Sequence, residues 1–172
     1  MTTQPKLIAD HFPGFFEALH KHPPFCWQAQ LAEQVCNGHW PDFIKLPTSS
    51  GKTACIDIAV FALAVQAARH HETGQSITAP RRVFFVVDRR VIVNEAFQRA
   101  ADIGTKLDAA VDDEISPLHP VAFWLRSLAN HGQALGSCNS GIAVLYSSHG
   151  KCCASSGERV GVSRGRFARG VV

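Results

Sequence analysis

Gly51, Lys52 and Thr53, preceded by Ser49 and Ser50, are the residues of this chain whose types and spacing best suit chemistry. Small residues let backbone N–H groups turn inward around phosphate oxygens, a lysine can meet the β- and γ-phosphates, and a hydroxyl on the first helical turn can hold Mg²⁺. Within residues 46–53, Thr48, Ser49, Ser50 and Gly51 would line the phosphate turn, Lys52 would bring the charge and Thr53 the metal-facing hydroxyl. A helix starting there adds its positive dipole end. The expected ligand is a nucleoside triphosphate with Mg²⁺.

Such a loop needs a strand before it and a helix after it. The run Asp42, Phe43, Ile44, Lys45, Leu46 reads as the strand, and the apolar stretch from Ala54 to Ala68 as a helix buried on most sides. After a polar loop, Arg82, Val83, Phe84, Phe85, Val86, Val87 and Asp88 read as a second, fully buried strand. A strand, a helix and a strand in that order predict parallel pairing through a right-handed crossover. The expected fold class is α/β, a doubly wound parallel sheet.

Upstream, the Phe-rich segment from His11 to Leu19 predicts a short amphipathic packing helix that starts after a turn at Pro13 and Gly14 and ends before Pro23 and Pro24. Trp27, Leu31 and Val35 recur every four residues and predict a second. Gln28 lies on that helix, 24 residues before Lys52. Its amide both donates and accepts, which suits the paired N6 donor and N7 acceptor of adenine, and Phe25 or Trp27 could stack on the ring; a Trp-Gln pair is also an ordinary helix start. Asp57 is accounted for by charge placement near a helix N-terminus, and His70 with His71 by a C-terminal cap.

Arg89, Arg90 and Asn94 follow the second expected strand, at the sheet edge that would also carry the phosphate loop. With the first amides of the next helix they could hold nucleic-acid phosphates without reading sequence. The competing reading is a solvated arginine pair facing Asp88 or Glu95. Asp112, Asp113 and Glu114 do not form a Walker B motif, because residues 107–111 are too short and interrupted to be the buried strand that must carry it. They read as a solvated acidic loop. Residues 117–130 show helical spacing again, after a proline.

The chain has 172 residues, 46% hydrophobic and 18% charged, room for one domain with a substantial core. Its six cysteines show no C-x-x-C spacing and no secretory signal precedes them, so they are expected to be reduced thiols in the cytoplasm. The longest apolar run, Ile58 to Ala68, is far short of the ~20 residues of a membrane span. Residues 1–135 carry 12 Lys/Arg against 13 Asp/Glu, whereas residues 136–172 carry five against one, and 14 of those 37 residues are Gly or Ser. This break in composition predicts a poorly ordered tail. It fits translation in a shifted frame from near residues 133–136, or alternatively a basic Gly/Ser-rich arm that binds nucleic acid.

Leu46 stands where the general phosphate-loop pattern has its first glycine, and the form Pro47, Thr48, two serines, Gly51, Lys52, Thr53 resembles motif I of superfamily 2 helicases. Together with Phe25, Cys26, Trp27, Gln28, Trp40, Pro41 and the run from Arg81 to Ala96, it makes residues 12–130 similar to the N-terminal part of a CRISPR-associated helicase/nuclease, the effector of type I systems, nearest the I-U (I-G) variant. The resemblance implies an N-terminal helical segment at 1–41 with an adenine-contacting Gln28, and a partial RecA-like domain at 42–135 holding motifs I and Ia. It also implies ATP and Mg²⁺ at Ser50, Gly51, Lys52 and Thr53, single-stranded DNA at Arg89 and Arg90, and recruitment by an RNA-guided surveillance complex. No DExH box, second RecA-like domain or nuclease domain is present in the sequence, so weak binding and no turnover are expected of this chain alone. A restriction-type DNA translocase subunit and a non-enzymatic nucleotide- or DNA-binding fragment are the alternative readings.

Overall fold

The computed structural model describes residues 4–47, 49–83 and 90–133, and within these the chain is helical. Five α-helices follow one another: α1 (Phe12–His20), α2 (Cys26–Cys36), α3 (Cys55–Thr73), α4 (Arg90–Ala110) and α5 (His119–Gln133). Short 3-10 turns, Ala9–His11 and Lys52–Ala54, lead into α1 and α3.

The helix starts and stops follow local chemistry. Pro13 sits in the first turn of α1, where its missing N–H costs nothing, and Lys21 closes the helix in a left-handed conformation with its N–H on Glu17 O. The N-terminus of α2 has half of a capping box: Gln28 Oε1 accepts the Phe25 N–H at 2.8 Å, and Phe25 has no side-chain acceptor to return the bond. Gly74, at φ 74°, ends α3 with its N–H on His70 O.

Helix α3 is the centre of the packing. Phe61 meets Phe12 and Phe15 at ring-centroid distances of 5.3 and 5.2 Å. Phe12, Phe15, Phe16 and Leu19 form one buried face of α1, Leu31, Ala32 and Val35 that of α2, and Val121 and Trp124 that of α5. Each of these phenylalanines contributes roughly 1.5–3 kcal/mol by leaving water. Gln66, a buried polar residue on α3, ties the ends together. Its Nε2 donates to Val35 O at 3.2 Å, and its Oε1 accepts the N–H groups of Thr78 and Ala79, both at 2.8 Å. The stretch Lys52–Thr73 is long and apolar enough to cross a membrane, but 72% of its apolar window is buried under the other helices. It is the core helix of this fold.

The chain is therefore not the α/β, RecA-like doubly wound sheet that its sequence suggests: no strand occurs among the described residues. Residues 42–46, the expected first strand, run into the loop without a ladder partner among them. Of the expected second strand, residues 82 and 83 are irregular and 84–88 lie outside the described residues. The physical reason is visible around α3. A helix apolar on most sides needs covering on most sides, and here α1, α2, α4 and α5 supply the cover that a sheet was expected to give. The acidic stretch 112–114 is a turn between α4 and α5. The expected poorly ordered tail at 136–172 lies outside the described residues.

Candidate functional site

The loop before α3 is built on α2. Trp27 and Gln28 each reach across it: Trp27 Nε1 donates to Ser50 O at 3.1 Å and Gln28 Nε2 to Gly51 O at 3.2 Å. The peptide bonds are trans, and a trans peptide carries its C=O and N–H on opposite edges. Drawing the carbonyls of Ser50 and Gly51 toward α2 thus aims the N–H groups of Gly51 and Lys52 the other way. These are first-turn donors that the helix itself cannot satisfy.

The turn depends on two left-handed residues, Ser49 at φ 65° and Gly51 at φ 75°. Ser50 Oγ donates to Pro47 O at 2.8 Å and tightens it. At Gly51 the demand for glycine is double. Besides its positive φ, an added Cβ would stand 2.9 Å from Gln28 Nε2 and 3.3 Å from the Phe25 ring. Lys52 is exposed and its Nζ donates to Leu46 O at 3.0 Å, folding the ammonium back toward the start of the loop. An ammonium has three protons, so two remain for a ligand. Thr53 follows in the 3-10 turn. Thr48 lies outside the described residues.

Gln28 is 2% exposed, whereas Phe25 beside it is 56% exposed. The amide therefore lies under the loop and the phenyl ring on its surface. Cys55, one turn into the helical stretch, has its pKa raised above 9.0 by burial, with the charge of Asp57 adding to the effect. It is held as a thiol and is not a nucleophile poised beside the loop.

A second constellation joins three elements. Asp57 on α3 has no solvent exposure, and its Oδ2 accepts the Arg99 Nε–H at 2.6 Å while its Oδ1 lies 2.8 Å from His20 Nε2. The Arg99 guanidinium also lies 5.9 Å from the centre of the Phe16 ring. Arg99 and His20 open onto a cleft of about 500 Å³ between the end of α1 and one side of α4, lined also by Asn94, Gln98 and Asp102. Lys106 donates to Leu19 O at its edge. The local sequence signal for this cluster is a carboxylate inside an apolar helical run, since a buried charge must find a partner. Asp57 does lie in the first turn of α3, and its partners Arg99 and His20 are what the sequence reading missed.

The structure thus brings Gln28, Ser49, Ser50, Gly51, Lys52 and Thr53 together at the loop. Asn94 is exposed on α4 and lines the cleft, which includes none of the loop residues. Arg90 is the first residue of α4, and Arg89 lies outside the described residues. Among the described residues, no group of three His, Cys, Asp or Glu side chains could hold a metal ion. Comparisons with protein-family models, with curated proteins and with solved structures find no match to this chain.

Proposed function

We propose that this chain grips the polyphosphate of ATP, with Mg²⁺, at residues 46–53, and that it acts as the nucleotide-binding N-terminal part of a superfamily 2 DNA helicase of CRISPR interference. The observation that carries the proposal is the pair of bonds from Trp27 and Gln28 to the carbonyls of Ser50 and Gly51. They leave consecutive backbone N–H groups facing away from α2 at the start of a helical stretch, the arrangement that binds anions.

In this proposal the N–H groups of Gly51 and Lys52 hold phosphate oxygens and the Lys52 ammonium swings from Leu46 O to the β- and γ-phosphates. The Thr53 hydroxyl would be the protein's oxygen ligand to Mg²⁺, a metal that usually keeps several waters and shares phosphate oxygens. When bound, Mg²⁺ neutralises phosphate charge. The acidic residue of α3's first turn, Asp57, is buried against Arg99 and His20 and is not available to orient water. In this reading residues 46–53 bind the nucleotide, and Asp57 takes no part in cleaving it.

Arg89, Arg90 and Asn94 are proposed to follow the backbone of single-stranded DNA, in the cytoplasm and in association with an RNA-guided complex. This part follows from the likeness of residues 81–96 to motif Ia. Displacement of a fluorescent ATP analogue by unlabelled ATP and by inorganic tripolyphosphate tests the phosphate grip. Displacement by both is expected. A failure of tripolyphosphate to compete at millimolar concentration would overturn the proposal.

A further inference from the structure

We infer that the site takes nucleoside triphosphates without selecting adenine, and that Gln28 is a positioning residue for the phosphate loop. The inference rests on the phosphate-binding reading of residues 46–53 and concerns what that site recognises.

An amide that reads adenine must present its oxygen and its nitrogen together, side by side, to the edge of the base. Gln28 has both ends turned to the protein. Its Oε1 accepts the Phe25 N–H at 2.8 Å and its Nε2 donates to Gly51 O at 3.2 Å. With the residue 2% exposed, no edge of the amide is open to a base. The same two bonds do something else. They fix the start of α2 and hold the Gly51–Lys52 peptide with its N–H turned outward, so one side chain sets the aim of a phosphate donor.

The group on the surface at this point is the Phe25 ring, 56% exposed and packed along one edge against Gly51. An aromatic face accepts any base, because every base has a π-face, and it offers no hydrogen bond with which to distinguish them. Phosphate contacts thus set affinity and the ring adds base-independent stacking. A site that read adenine through paired hydrogen bonds would instead leave its polar groups unpaired with the wrong base and reject it strongly.

The experiment is competition binding of ATP, GTP, CTP, UTP and inorganic tripolyphosphate to the full chain, with Gln28→Met, Gln28→Asn and Phe25→Leu alongside. Circular dichroism confirms the fold of each variant. In the wild type the four nucleotides should compete within about fivefold of one another, as stacking allows. Gln28→Met should weaken all four and tripolyphosphate together, by about tenfold or more, the loss of one strong phosphate hydrogen bond. Gln28→Asn, too short to span Phe25 and Gly51, should behave in the same way. Phe25→Leu should weaken the nucleotides about five- to tenfold and leave tripolyphosphate unchanged. If ATP outcompetes GTP by more than about twentyfold, and Gln28→Met removes that preference while sparing tripolyphosphate, Gln28 reads the base and the inference is wrong. If neither tripolyphosphate nor any nucleotide binds, the phosphate-loop reading itself fails, and the inference with it.

Discussion

Arg99 donates its Nε–H to Asp57 Oδ2 at 2.6 Å, and this bond ties α3, the helix that follows the loop at residues 46–53, to the helix that begins at Arg90. Asp57 is fully buried and Arg99 is one-quarter exposed, so the pair sits at the boundary between core and cleft. Arg99→Ala leaves a buried carboxylate with His20 as its remaining partner among the described residues, and such losses cost about 3 kcal/mol. Urea denaturation should show that fall in stability. Asp57→Leu combined with Arg99→Met, which removes both charges, should cost clearly less than Arg99→Ala alone. Equal losses would mean that burial of the charge is not what the pair resolves.

The helices were legible because their signals are local. Trp27, Leu31 and Val35 mark the packed side of α2, and Phe12, Phe15, Phe16 and Leu19 that of α1, within a few residues of chain. The sheet was misread because a strand is defined by a partner elsewhere, and an apolar helix such as α3 looks the same under a sheet as under four helices. At the site, the glycine and lysine of the loop were legible from spacing. The bonds from Trp27 and Gln28 were not, since they join residues 23 positions apart and the same side chains also suit base recognition. The ion pair of Asp57 with Arg99 spans 42 positions and leaves only the mark of a charge in an apolar run.

Gly51→Ala places a methyl group where Gln28 Nε2 stands 2.9 Å away, on a backbone at φ 75°. A left-handed alanine costs roughly 1–2 kcal/mol before any clash. The variant should unfold at lower urea and lose detectable nucleotide binding, while Gly14→Ala, with nothing within 4 Å, should bind as the wild type does. Full binding by Gly51→Ala would show that the loop tolerates rearrangement.

Burial pushes the Cys36 thiol from its ordinary 9.0 up to about 12. Below pH 9.0 both the native and the unfolded chain keep this proton, and its contribution is fully present. Between 9.0 and about 12 only the unfolded chain releases it, so stability falls as pH rises. Denaturation series at pH 8, 9 and 10 should show a decline that is shallower in Cys36→Ala, by up to about 1.4 kcal/mol per pH unit. Identical slopes would show that Cys36 loses its proton equally in both states. Mass-spectrometric thiol labelling should find the exposed Cys26 modified quickly and Cys36 only on unfolding.

The proposed binding of single-stranded DNA through Arg89 and Arg90 would be electrostatic and therefore salt-dependent. Replacing both with alanine should reduce the slope of log K against log salt by about 1.4, at roughly 0.7 per phosphate contact. An unchanged slope places the DNA, if bound at all, on other residues.

The phosphate loop is tested most directly by calorimetric titration of Mg-ATP into the wild-type chain and into Lys52→Ala. Lys52 is exposed and, among the described residues, its ammonium bonds a loop carbonyl, so the variant should keep the wild-type unfolding midpoint. Loss of its charged hydrogen bonds to phosphate removes about 1.5–3 kcal/mol, and affinity should drop roughly 10- to 150-fold. Equal affinity of the two proteins for Mg-ATP would contradict the assignment of residues 46–53 to phosphate binding.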